Sequence, residues 1–83
     1  MFSLYILECS DRTLYTLYIG HTDDLDERLR QHEIGAADSY TSRRQPLKLL
    51  YVEEFESRYE ALTIERKLKG WSKAKKLAYV AGD

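Results

Sequence analysis

Three side chains of this 83-residue chain fall at positions where charge is hard to accommodate. At 100° per residue, Leu25 and Leu29 mark the apolar stripe of one helix, His32 falls between their directions, and Arg28 lies on the flank. In a second helical stretch Ala61, Leu62, Ile64 and Leu68 define the apolar arc, and Glu65 points between Ala61 and Leu62. An Arg, a His and a Glu therefore face inward, where an ionised group is unfavourable unless paired or put to use. Singly, each has an ordinary structural explanation: a satisfied core histidine, an arginine snorkelling to water, a glutamate paired with that arginine. Together, beside strand-like segments bearing Tyr5 and Tyr18, they make a candidate active site.

The elements that position these groups are legible from the pattern around them. Phe2 to Glu8 is short, aromatic and aliphatic, and Thr13 to Ile19 is β-branched and aromatic. With Ser10, Asp11 and Arg12 as the turn, the two predict an antiparallel hairpin that Gly20 closes. Asp23 or Asp24 caps the first helix, with Asp26 or Glu27 as capping-box partner, and Gly35 ends it. Residues 36 to 46, which contain the only proline, Pro46, predict an irregular connection with a short helical turn. Leu47 to Phe55 is a third strand. Ser57 with Glu60 opens a helix to about Gly70, and Ser72 caps a last short helix through about Val80. The order β-β-α-β-α-α predicts an α+β fold, a small three-stranded antiparallel sheet flanked by helices, as a single domain over residues 1–83.

Composition narrows the function. A single cysteine, Cys9, excludes an intrachain disulfide and a Cys-built zinc site, and is expected as a small residue in or at the end of a strand. No apolar stretch is long enough to span a bilayer and no signal-peptide pattern is present, so a cytoplasmic protein without membrane contact is expected. A net charge of −1 argues against a strong non-specific grip on nucleic acid. The charges are unevenly spread, however. Arg43 and Arg44 adjoin, and Arg66, Lys67, Lys69, Lys73, Lys75 and Lys76 crowd together, so a locally basic face is compatible with a neutral total. Trp71 follows Gly70 and is expected to pack the last helix onto the core rather than to stack on a base.

The order of these residues resembles the GIY-YIG nuclease superfamily over nearly the whole chain. Ser3-Leu4-Tyr5 followed by Tyr18-Ile19-Gly20 is similar to its paired signature, and Gly20 through His32 to its next helix, where Arg and His stand four apart. Tyr40-Thr41, Leu49 to Glu53, and Ala61 through Lys76 are similar to the small stand-alone bacterial members. The first signature has Ser3-Leu4 where the family has Gly-Ile, and His21 stands where several members have Lys. Thr13-Leu14-Tyr15 nearly duplicates Thr16-Leu17-Tyr18, which leaves Tyr15 open as the second signature tyrosine, although Gly20 favours Tyr18.

The resemblance implies an endonuclease that hydrolyses DNA phosphodiester bonds, with a possible structure-specific role in repair or recombination. Tyr5 and Tyr18 match the tyrosines that position or deprotonate the attacking water. Arg28 matches the arginine that stabilises the phosphorane-like transition state, Glu65 the carboxylate that holds one Mg²⁺ or Mn²⁺, and His32 a supporting position. A planar guanidinium and a divalent ion suit the growing charge on phosphate oxygens, and one carboxylate with waters and phosphate is a normal way to hold Mg²⁺. His21, Arg43, Arg44, Lys69, Lys73, Lys75 and Lys76 are the candidates for nucleic-acid contacts. The expected partner is branched or single-stranded DNA, with a further protein supplying extra DNA affinity. The competing reading is a catalytically silent module of the same fold that binds nucleic acid or a protein.

Overall fold

The computed structural model describes residues 1–10, 15–34 and 47–82. The expected turn at Asp11 and Arg12, Gly35 and the connection 36–46 lie outside the described residues. Three strands, β1 (Phe2–Ser10), β2 (Tyr15–Thr22) and β3 (Leu47–Phe55), form an antiparallel sheet of order β2-β1-β3. Three helices complete the predicted order: α1 (Leu25–Glu33), α2 (Arg58–Lys69) and α3 (Lys73–Val80). Among the described residues no helix is long and apolar enough to cross a membrane.

The central position of β1 explains its nearly continuous apolar run, because both of its faces are covered. Leu4 and Ile6 join Leu17, Ile19 and Leu68 in one buried cluster, on which Ile64, Trp71, Tyr79 and Val80 of the α2–α3 side pack. Tyr5, Leu7 and Cys9 form the cluster on the opposite face, packed by Tyr18 and by Leu25 and Leu29 of α1. Helices thus lie on both faces of the sheet. Trp71 packs as expected, edge to face with Tyr79 at 6.0 Å.

Strand β2 continues through Gly20 to Thr22, so Gly20 is an interior residue rather than the end of the hairpin. Its Cα pairs with Tyr5, and the Tyr5 ring lies directly over it: a Cβ there would stand 2.6 Å from the Tyr5 hydroxyl. The glycine serves close approach of a side chain. Between β1 and β3 the register shifts, Ile6 pairing with Tyr51 and Leu7 with Leu49. The extra residue, Leu50, lets consecutive side chains Leu50 and Tyr51 both reach the α2–α3 core.

The helix starts follow local chemistry. Asp24 caps α1 by accepting from the Glu27 N–H at 3.1 Å, while the Glu27 carboxylate turns away to pair with Arg30 at 2.7 Å. The Arg30 hydrogen bond lowers the Glu27 pKa. Ser57 caps α2 and Ser72 caps α3, accepting from the N–H groups of Glu60 and Lys75.

Candidate active site

Strand alternation sorts the candidate residues onto two sides of β2. Tyr18 faces α1, as Tyr5 does from β1, whereas His21, three residues on, faces α2. On the α1 side three rings meet. Tyr5, 1% exposed, has its hydroxyl 2.9 Å from Nε2 of His32, itself 1% exposed. The Tyr18 ring stands edge to face with His32 at 5.2 Å and tilted to Tyr5 at 6.3 Å. The inward reading of His32 is therefore correct, and the bond to a phenol is what makes its burial tolerable. Leu25 and Leu29, expected as the buried stripe, are only half-buried; His32 is the buried residue of α1.

The two tyrosines that the sequence left open for the second signature position stand far apart along β2. The register sets Tyr15 against Ser10 at the far end of the ribbon and Tyr18 against Leu7.

On the α2 side Glu65 is 8% exposed. Its partner is His21, Nδ1 to Oε1 at 2.9 Å, and its second oxygen Oε2 lies 3.5 Å from Lys69 Nζ. The pairing of Glu65 with Arg28 raised by the sequence does not occur. Arg28 is partly buried on α1, one turn before His32, and makes no ion pair among the described residues.

The two groups lie on opposite faces of the sheet, and the edge strand between them borders an open groove. Leu17, Tyr18, Ile19, Lys69 and Lys76 line an open groove of about 290 Å³. Tyr18 and Lys69 thus border one space, and the Lys69 ammonium is the link to Glu65. Of the other predicted nucleic-acid contacts, Lys75 lies 4.5 Å over the Trp71 ring, Lys73 is exposed at the start of α3, and Arg43 and Arg44 lie outside the described residues.

One residue at this site was not singled out by the sequence. Arg58, the first residue of α2, brings Nη1 to 3.4 Å from His21 Nε2 and stacks its guanidinium 4.9 Å over the Phe2 ring. A signal existed, since Arg58 precedes Glu65 by seven residues, two helical turns on the same face.

For a divalent ion the donor chemistry is sparse but suitable. Among the described residues no three His, Cys, Asp or Glu side chains converge. A hard ion that takes most of its ligands from water and phosphate would fit such a site, and Glu65 is the carboxylate that could hold it. His21 engages Oε1 at 2.9 Å, and the half-exposed Lys69 stands farther off, 3.5 Å from Oε2.

Comparison with known proteins identifies the family. The family model for the GIY-YIG catalytic domain matches residues 1–78. A UPF0213 protein of Streptococcus agalactiae serotype V is 46% identical over 77 residues, covering 93% of this chain and 84% of that protein. A UPF0213 protein of Streptococcus pyogenes serotype M5 is 44% identical over 79 residues, covering 94% and 83%. The solution NMR structure of a UPF0213 protein from Bacillus halodurans superposes with a TM-score of 0.61 at 36% identity, covering 98% of this chain and 84% of that one. Proteins with this domain are generally endonucleases, bind nucleic acid and use divalent metals. With the signature tyrosines ring to ring and the model spanning nearly its full length, this chain belongs to the GIY-YIG catalytic-domain family.

Proposed function

We propose that the chain is a metal-dependent endonuclease that hydrolyses DNA phosphodiester bonds, with Tyr5, Tyr18, Arg28, His32 and Glu65 as its site. The observation that carries this reading is the groove at the β2 edge, where Tyr18 and Lys69 share one open space and Lys69 contacts the buried Glu65. Tyr18 is the half-exposed phenol and positions the attacking water; Tyr5, buried and bonded to His32, supports it from behind. Arg28, which makes no ion pair among the described residues, meets the charge that develops on the phosphate oxygens. Glu65 would hold a divalent ion, Mg²⁺ or Mn²⁺, which would supply positive charge against the phosphate. His21, Lys69, Lys73, Lys75 and Lys76, with Arg43 and Arg44, contact the backbone of branched or single-stranded DNA. A role in repair or recombination follows if branched DNA is the substrate.

A second reading has one observation in its favour. Both oxygens of Glu65 already have protein partners, which a catalytically silent binding module would retain.

Nicking of labelled branched, single-stranded and duplex DNA with Mg²⁺ or Mn²⁺ separates the two. The endonuclease reading expects cutting by the wild type and a fall of about 10²–10³-fold for Arg28→Ala and for Glu65→Gln. Wild type and variants equally inert on every substrate, while DNA still binds, establishes the silent module.

A further inference from the structure

We propose that Arg58 is a positioning residue of this site, holding His21 in the tautomer that donates a hydrogen bond to Glu65. The inference builds on the endonuclease reading for its consequence at the metal, but its geometric core stands on the apo protein. A guanidinium carries five N–H donors and no acceptor. Its Nη1 stands 3.4 Å from His21 Nε2, so that contact is attractive only if Nε2 presents a lone pair. A neutral imidazole with a bare Nε2 carries its proton on Nδ1. Nδ1 is the atom 2.9 Å from Glu65 Oε1, so the N–H points at the carboxylate. The opposite tautomer would set N–H against N–H at one end and lone pair against lone pair at the other. One proton placement satisfies both contacts, and the chain runs guanidinium to imidazole to carboxylate.

Arg58 is itself held. It follows the Ser57 cap of α2, and its guanidinium lies 4.9 Å over the ring of Phe2 at the start of β1. The relay therefore ties β1, β2 and α2 together beside Glu65. Its effect is to commit Glu65 Oε1 to His21 and leave Oε2, with the half-exposed Lys69 beside it, to face an incoming ion. Groups that orient a metal-binding side chain in this way change metal affinity when removed, by about 10–100-fold.

The test reads the proton directly. Long-range ¹H–¹⁵N NMR on the purified chain at pH ~8, above the ordinary imidazole pKa of about 6.5, reports which ring nitrogen is protonated. Wild type is expected to show His21 protonated at Nδ1 and bare at Nε2. Arg58→Met keeps the apolar stem at an exposed helix start, so an unchanged amide spectrum away from the site verifies folding; His21 is then expected to mix tautomers. The Mn²⁺ dissociation constant, read by paramagnetic broadening near Glu65, is expected to rise about 10-fold. Arg58→Lys, which supplies a donor without the planar fork, should restore the tautomer and part of the affinity. A wild-type His21 protonated at Nε2, or a tautomer indifferent to Arg58→Met, overturns the proposal. Equal Mn²⁺ affinity in wild type and Arg58→Met overturns its extension to Glu65. A responsive tautomer in a chain that neither binds Mn²⁺ nor cuts DNA leaves Arg58 in its role and removes the endonuclease reading instead.

Discussion

A methyl group at position 20 would have no room: its carbon would lie 2.6 Å from the Tyr5 hydroxyl and 2.7 Å from the ring carbon bearing it. Tyr5 is buried among Leu7, Cys9 and the α1 side chains and cannot swing into solvent. Gly20→Ala should therefore push the phenol off His32 and destabilise the fold by about 1–3 kcal/mol, the usual cost of overpacking. Urea unfolding gives the stability, and the His32 ring resonances report the lost 2.9 Å contact; an unperturbed His32 would show that Tyr5 yields without moving from it. Much of this site was legible at the level of single residues. Periodicity placed His32 and Glu65 inward, and the structure buries both. What it could not reveal was the partner of Glu65. Helical spacing specifies a face, whereas the meeting of His21 with Glu65 depends on how β2 and α2 pack, a tertiary fact written in no local pattern.

Among the elements, those begun by a local signal were the easiest to read. Asp24, Ser57 and Ser72 cap their helices because the bonded N–H lies only three residues away. The bulge at Leu50 left no such trace, since it answers to the core that Leu50 and Tyr51 share. That strand also carries a pH-sensitive contact. Tyr51 and Tyr79 both donate to Glu53 Oε1, at 2.9 and 2.6 Å, joining β3 to α3. Burial, then the bond to the Glu53 carboxylate, raises both phenol pKa values, Tyr79 the more strongly. A folded-state pKa raised above the unfolded value gives stability that is complete below the unfolded phenol pKa of about 10 and is lost as pH climbs through the folded value. Melting temperature should accordingly fall on raising the pH above about 10. Tyr79→Phe should flatten that fall while costing about 1 kcal/mol near neutrality for the missing hydrogen bond. Thermal melts of the two proteins from pH 7 to 11.5, on the order of these pKa values, make the comparison; parallel curves would remove the Tyr79–Glu53 contact from the account of α3 docking.

At the scale of the whole molecule, charge sets how nucleic acid is held. A net charge of −1 leaves little long-range attraction, so the grip must come from a few placed cations. Lys69 and Lys76 on the β2 groove are the two the structure sets beside Tyr18. Each phosphate contact contributes about 0.7 to the slope of log affinity against log salt for a single strand. Replacing both by Ala should make that slope shallower by roughly 1.4, measurable by fluorescence anisotropy on a labelled oligonucleotide; an unaltered slope would move the backbone path off the groove. The sheet order has a consequence of a different kind. β1 leaves the ribosome first, yet it is the middle strand, and one of its two neighbours ends at Phe55. Until that residue has been made and has cleared the exit tunnel, Leu4, Tyr5, Ile6 and Leu7 have a hairpin partner on one side and nothing on the other. The segment that will become the best-buried part of the protein thus spends that interval as an open sticky edge. Mispairing is the hazard of that interval, and the sheet is completed only when β3 docks on a hairpin already formed.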